Sequence, residues 1–218
     1  MSTATTTRTA IRDADTYIRM SGVSWEAFEG LADRTRGGRL AYDDGELEIM
    51  SPSFYHEDFG GSLKDLVVAL GEATGIGVIE LGSTTWKAPR AKKGVEADSA
   101  FYLDPAKLAA AEGPMEAGEK DITKFPAPDL VIEVDLRSPD ADRSAIYAAI
   151  GAVEVWEFDG ESARIRRLLP TGAYADAYRS GWFPIGPAEI LDAVGRSPRE
   201  AASRRRAMRE FAVRLAAG

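Results

Sequence analysis

The segment PDLVIEVDLRSP, Pro128 to Pro139, constrains the fold more than any other stretch, because it sets acids among apolar residues at strand spacing. Side chains in a strand alternate between its two faces. Leu130, Ile132, Val134 and Leu136 therefore share an apolar face, while Asp129, Val131, Glu133, Asp135 and Arg137 fall on the other. Same-face neighbours stand roughly 6.6 to 6.8 Å apart. Two carboxylates at that spacing can lean onto a common ion, and they repel if nothing lies between them. A buried, unpaired carboxylate is costly, so the acidic face either meets water or holds a cation.

The 218 residues suffice for one domain with a sizeable core. With no cysteine and one histidine, the chain has no disulfide framework, no thiolate metal site and poor material for structural zinc. The absence of cysteine suits a reducing cytoplasm, and no stretch is apolar for long enough to span a membrane. A formal charge of -8 argues against indiscriminate DNA binding, although a local basic groove is compatible with it. MSTATTTRTAIRDAD lacks the apolar core of a signal peptide, and residues 1–20 read as a flexible polar arm.

Further along, Ser24 caps an amphipathic helix carrying Trp25, Phe28 and Leu31. RLAYDDGELEIMSP alternates around an Asp44-Gly45 turn and predicts a hairpin. HEDFGGSLKDLVVALGEATG predicts a helix ending near Gly75, followed by strands in IGVIELGSTTWKAP and VEADSAFYL. Pro105 to Pro128 reads as a helical turn plus a surface loop. A helix from about Ser138-Pro139 to Gly151, a hairpin across Asp159-Gly160, a strand near Tyr174 and a basic C-terminal helix complete the order. The domain is expected over 21–195 and the basic amphipathic helix over 196–218. This order predicts an α/β (α+β) fold, a mixed sheet with helices packed on it.

In VEADSAFYL the run of Val95, Ala97, Phe101 and Leu103 is interrupted by Asp98 from the opposite face. Neighbouring strands supplying Asp98 on one side and Glu133 and Asp135 on the other would bring three carboxylates together. Oxygen-only ligands with room for water suit Mg2+ or Mn2+. Such an ion acidifies bound water and neutralises charge on a phosphoryl oxygen. The plainer explanation is that the acids cap strand ends or pair with Arg137, Arg143 and Lys124, and spacing alone does not separate the two.

VEADSAFYL, PDLVIEVDLRSP and DRSAIYAAIGAVEVWEFDG, preceded by GELEIMSPSFYHEDF and GSTTWKAPRAKKG, resemble in order and spacing the Uma-two family of bacterial restriction-endonuclease-type proteins. The resemblance runs from about Trp25 to Val194. It implies the restriction-endonuclease-like fold of the PD-(D/E)XK superfamily, a mixed sheet flanked by helices with extra β-hairpins here. It also implies that Asp98 is the "PD" aspartate, that Glu133 is the central acid, and that both are divalent-metal ligands. Pro128-Asp129 spells the motif name but lies too close to Glu133 on the same strand. Where the superfamily has a lysine, two residues after the central acid, this chain has Asp135, and Arg143 on the following helix matches the family's cation. Arginine stabilises phosphoryl charge but stays protonated, so it is an electrostatic clamp and a poor base.

His56 sits in the block matched by the family's histidine, either as a capping or surface histidine or as a site residue that orients water or touches phosphate. Glu46 matches a recurrent family acid, with cross-strand pairing in the hairpin as its other role. Lys87, Arg90, Lys92 and Lys93, and the arginines from Arg196 to Arg209, are either backbone contacts for nucleic acid or solvated faces. Trp156, Trp182 and Tyr147 read as core aromatics. Two functions follow: a Mg2+-dependent nuclease cutting DNA through Asp98, Glu133, Asp135 and Arg143, or the same fold kept as a binding or scaffold module. Glycosidase chemistry fits poorly, because two acids on one strand cannot flank a scissile bond. Cutting both strands would favour a twofold homodimer.

Overall fold

The computed structural model describes residues 15–34, 38–136 and 143–218. Eleven strands form two sheets among these residues. The first is antiparallel, in the order β1 (Thr16–Met20), β3 (Glu46–Ser51), β2 (Arg39–Asp43), β6 (Lys93–Glu96) and β5 (Thr85–Ala88). The second is mixed, in the order β11 (Tyr174–Ala177), β10 (Ala163–Leu168), β9 (Glu154–Phe158), β8 (Leu130–Val134), β7 (Ser99–Tyr102) and β4 (Ile79–Gly82). Its parallel pair is β8 with β9, joined by a crossover carrying α4 (Ser144–Ile150). This is the α+β architecture expected, with two sheets in place of one.

The two sheets are stitched by a bent ribbon. VEADSAFYL, expected as one strand, is two: β6 lies in the first sheet, β7 in the second, and the chain turns between them at Ala97-Asp98. The opposing arm makes the same change of sheet between β4 and β5, with a register shift beside Gly82, whose φ of 58° suits a residue without Cβ. Corners between packed sheets are commonly made by strands that bend from one sheet into the other. Val95 and Ala97 before the bend keep the same alternate positions as Phe101 and Leu103 after it, so spacing alone does not reveal the change of sheet. The bend puts Asp98 at the seam between the sheets.

Residues 16–20, expected within a flexible arm, form β1, which pairs along its length with β3. Ser24 caps α1 (Trp25–Ala32) by accepting from the Ala27 amide. The β2–β3 hairpin turns at Asp44-Gly45, both at positive φ, as a tight two-residue turn requires. Ser53 caps α2 (Phe54–Thr74), which ends at left-handed Gly75. The segment after Pro105, expected as one turn, is the three-turn helix α3 (Pro105–Glu116), with Asp104 as its cap. The expected start of α4 near Ser138-Pro139, and Arg137, lie outside the described residues. Helix α5 (Pro187–Gly195) precedes the expected C-terminal helix α6 (Ala201–Ala217).

One face of the second sheet, with Leu130, Ile132, Val134 and Trp156, packs on Leu63, Leu66 and Leu70 of α2 and Met208 of α6. Its other face, with Val131 and Val155, meets Val95 and Trp86 of the first sheet and Ile146 and Tyr147 of α4. Helix α1 closes the far side of the first sheet through Phe28, Leu40, Tyr42 and Leu47. Alternation along β8 therefore turns Glu133, with Val131, toward the space between the sheets.

Candidate active site

The acids and cations of this inter-sheet space form one hydrogen-bonded cluster. Asp98, at the ribbon's bend, accepts from the Val134 amide at 2.7 Å through Oδ2. Its Oδ1 faces His56 Nε2 at 2.7 Å and Arg39 Nε at 3.3 Å. The carboxylate is thus seated on the backbone next to Glu133. Asp98 therefore lies on the residue next to Glu133, close enough for its charge to be felt there.

Glu133 is 7% exposed and takes hydrogen bonds from Arg143 (2.7 Å, at Oε2) and from the Tyr147 hydroxyl at Oε1. Burial pushes its carboxyl above the usual carboxylate range, Arg143 pulls back, and the Asp98 charge adds to the rise. Arg143 reaches Glu48 of β3 with its second terminal nitrogen at 2.7 Å. Burial works against its charge, but Glu133 and Glu48 outweigh burial and hold it protonated. Arg19 Nε donates to the other Glu48 oxygen at 2.9 Å.

His56 lies in the first turn of α2, with its amide donating to Ser53 Oγ. Its ring is 1% exposed, with Nδ1 3.0 Å from Asp15 Oδ2. Burial disfavours the imidazolium, but hydrogen bonds to Asp15 and Asp98 prevail and raise its pKa to about 10. Asp15 is wholly buried, and its Oδ1 accepts from the Ser53 amide at 2.7 Å. Burial alone would raise its pKa, yet His56 and Ser53 hold it below the ordinary value.

Of the residues singled out in the sequence, Asp98, Glu133, Arg143 and His56 converge. Asp135 follows β8 directly, half-buried, and its charge helps raise the Tyr17 phenol, after the larger effect of burial. Glu46 does not join: it is exposed at the hairpin end and accepts from Ser21 Oγ at 2.8 Å. Glu48, one alternation further along the same face of β3, holds the place in the cluster. Sequence reasoning missed Glu48, Asp15, Arg39 and the role of Tyr147, whose ring is core but whose hydroxyl serves Glu133. Asp129 takes no part in the cluster. It accepts from the Leu103 and Asp104 amides at 2.8 and 2.9 Å and pairs with Lys107 at 2.8 Å, pinning the β7–α3 junction.

Several residues of the basic runs pair with acids of the fold. Lys93 pairs with Asp43, and Lys87 lies 3.6 Å from Asp33. On α6, Arg204 binds Asp58 and Asp65, and Arg209 binds Glu72. Those three acids recur every seventh residue along α2, so the arginines dock one helix on another.

The family model described as "Putative restriction endonuclease" (Uma2) matches residues 25–188, about three quarters of the chain. This chain belongs to the Uma2 family. No curated protein matches it. The Uma2 match takes in Glu48, His56, Asp98, Glu133 and Arg143, whereas Asp15 and α6 lie beyond it. Among the described residues no helix is long and apolar enough to cross a membrane.

The donor chemistry suits a hard divalent cation. Asp98 and Glu133 supply carboxylate oxygens at neighbouring points, and the Asp98 charge adds to the cost of charging the buried Glu133. Mg2+ is commonly held by one or two carboxylates and keeps several waters. Three carboxylates were expected to come together here, but among the described residues no group of three or more Asp, Glu or His is arranged to hold an ion.

Proposed function

We propose that this Uma2 protein hydrolyses phosphodiester bonds in DNA, with Mg2+ or Mn2+ held by Asp98 and Glu133. The observation that carries the reading is the seating of Asp98 on the Val134 amide, beside a buried Glu133 whose charge is costly where it stands. When bound, a divalent ion supplies acidification of water and neutralisation of phosphoryl charge. The chain's own groups do the rest. Tyr147 and Arg143 hold the Glu133 carboxylate in one orientation. Arg143 brings positive charge that does not titrate, which stabilises charge building on a phosphoryl group. Asp135, just past β8, serves as a further ligand or orients water. Its place is the cytoplasm, and a twofold homodimer would present two sites to the two strands.

A specific observation favours a second reading. Every carboxylate oxygen of Asp98 and Glu133 already has a donor from the chain itself. The cluster is therefore compensated without an ion, as suits a nuclease fold retained as a binding or scaffold module. Mn2+ calorimetry on wild type beside Glu133→Gln, followed by plasmid nicking with the same pair, separates the two. Metal binding and nicking by wild type alone support the nuclease. Absence of both from wild type leaves the scaffold.

A further inference from the structure

We infer that Asp15 is a positioning residue of the site, acting through His56 to fix the Asp98 carboxylate. The inference rests on the nuclease reading for its catalytic consequence, though not for its geometry. Asp15 immediately precedes β1, outside the span that the family model matches, in a segment whose sequence reads as a polar arm. It is nevertheless fully buried, as is His56.

An unbroken chain of contacts runs through the two residues. The Ser53 amide donates to Asp15 Oδ1 at 2.7 Å, and Asp15 Oδ2 meets His56 Nδ1 at 3.0 Å. His56 Nε2 then meets Asp98 Oδ1 at 2.7 Å, and Asp98 Oδ2 accepts from the Val134 amide at 2.7 Å. The four links join the start of β1, the cap of α2, the ribbon bend and β8. Asp98 sits on a bend between strands, where no ladder on both sides fixes it. Its carboxylate plane is set by what it touches: the Val134 amide on one oxygen, His56 and Arg39 on the other.

The imidazole can hold Asp98 only if its own ring is held. Two rotatable bonds join that ring to α2, and Asp15 is the group that stops it turning. Ser53 contributes twice, by capping α2 through Oγ and by fixing Asp15 through its amide. Partners one step removed from a metal ligand fix its orientation, and their loss typically costs roughly 10- to 100-fold in metal affinity or activity.

The test uses the full chain and Asp15→Asn beside Asp15→Ala, with Mn2+ as the probe. Because His56 is the chain's single histidine, its ring N–H signals can be read without assignment against others. Wild type is expected to show a ring Nε2 proton protected from solvent exchange, and Asp15→Ala to exchange it at least about tenfold faster. Mn2+ affinity is expected to fall by roughly 10- to 100-fold in Asp15→Ala, with a smaller loss in Asp15→Asn, which keeps an acceptor for the Ser53 amide. The nicking rate at saturating DNA should fall while KM for DNA stays near wild type, because Asp15 touches no substrate.

If Asp15→Ala is too unstable to assay, the same comparison on Asp15→Asn decides. Unchanged ring-proton exchange, or unchanged Mn2+ affinity and rate in a folded variant, would overturn the inference. If wild type neither binds Mn2+ nor nicks, the nuclease reading fails. The ring-proton comparison alone then judges the Asp15–His56–Asp98 linkage.

Discussion

Glu48 and Glu133 belong to different sheets, and one guanidinium joins them: Arg143 donates to each at 2.7 Å from separate nitrogens. Neither carboxylate is more than a tenth exposed, and the arginine is the counter-charge they share, with Arg19 a second partner of Glu48. Removing one partner of a buried pair costs far more than the pair contributes, because the remaining charge is stranded.

Arg143→Ala should therefore destabilise the protein by about 3 kcal/mol or more. Arg143→Lys should recover only part of this, since an ammonium cannot present two parallel donors to two acids. Urea unfolding of the three proteins at neutral pH checks it. An alanine variant within about 0.5 kcal/mol of wild type would show that the bridge is not what holds the acids.

Stability of the metal-free protein should fall as pH rises above neutrality. His56 has an ordinary value of 6.5 and a folded value near 10, set against burial by Asp15 and Asp98. A raised folded pKa contributes stability that is fully present below the unfolded value and is lost as pH climbs to the folded one. The window is thus from about 6.5 to about 10, with a slope of up to about 1.4 kcal/mol per pH unit. His56→Gln should remove that slope above about pH 8, the raised value of Glu133, which contributes a slope of the same sign below it, when urea midpoints are compared in the presence of chelator. A variant with the wild-type slope would assign the pH dependence elsewhere.

Local signals carried much of the fold. Ser24 announces a helix start, Asp44-Gly45 a hairpin, and the alternation of Leu130, Ile132 and Val134 a buried strand; each forms where its chemistry puts it, whereas α2 starts at Phe54 with Ser53 as its cap, ahead of the expected start at His56. Asp98 and Glu133 were legible because an acid in an apolar strand must be explained. What failed was information carried by distance. Asp15 and His56 are separated by 41 positions, and nothing near Asp15 distinguishes it from a solvated residue. Glu46 and Glu48 share a face of β3, so period two alone cannot say which one reaches Arg143. Tyr147 was legible as core because its ring is, while its hydroxyl answers to a partner on another element.

The arginines of α6 should behave as a clasp. Arg204 bonds Asp65 at 2.8 Å and Asp58 at 3.2 Å and is only 15% exposed. Arg204→Ala should cost about 1 kcal/mol, and the cost should shrink when salt is raised from 0.05 to about 1 M, where screening is effective within about 3 Å. Nicking salt dependence should be unchanged by the substitution. A reduced salt slope for DNA binding would instead make Arg204 a phosphate contact.

Asp129, just before β8, and Glu133 within it are four residues apart, are both buried acids, and should differ in what their substitution removes. Asp129 faces two backbone amides and Lys107 at the β7–α3 junction, so its loss strands donors in the interior. Asp129→Ala should lower stability by about 3 kcal/mol, the range for an unsatisfied buried amide together with a broken buried pair. It should leave Mn2+ affinity of the folded protein within about twofold of wild type, since additivity holds for sites that share no partner. Glu133→Gln should abolish Mn2+ binding; it removes a charge that burial disfavours but also takes one acid from buried Arg143, leaving Glu48 as the acid that guanidinium still bonds, so it should cost less stability than Arg143→Ala. Calorimetric titration with Mn2+ and urea unfolding of the two variants check both halves. Loss of metal binding in a folded Asp129→Ala protein would place the "PD" acid at Asp129 and remove Asp98 from the proposed ligand pair.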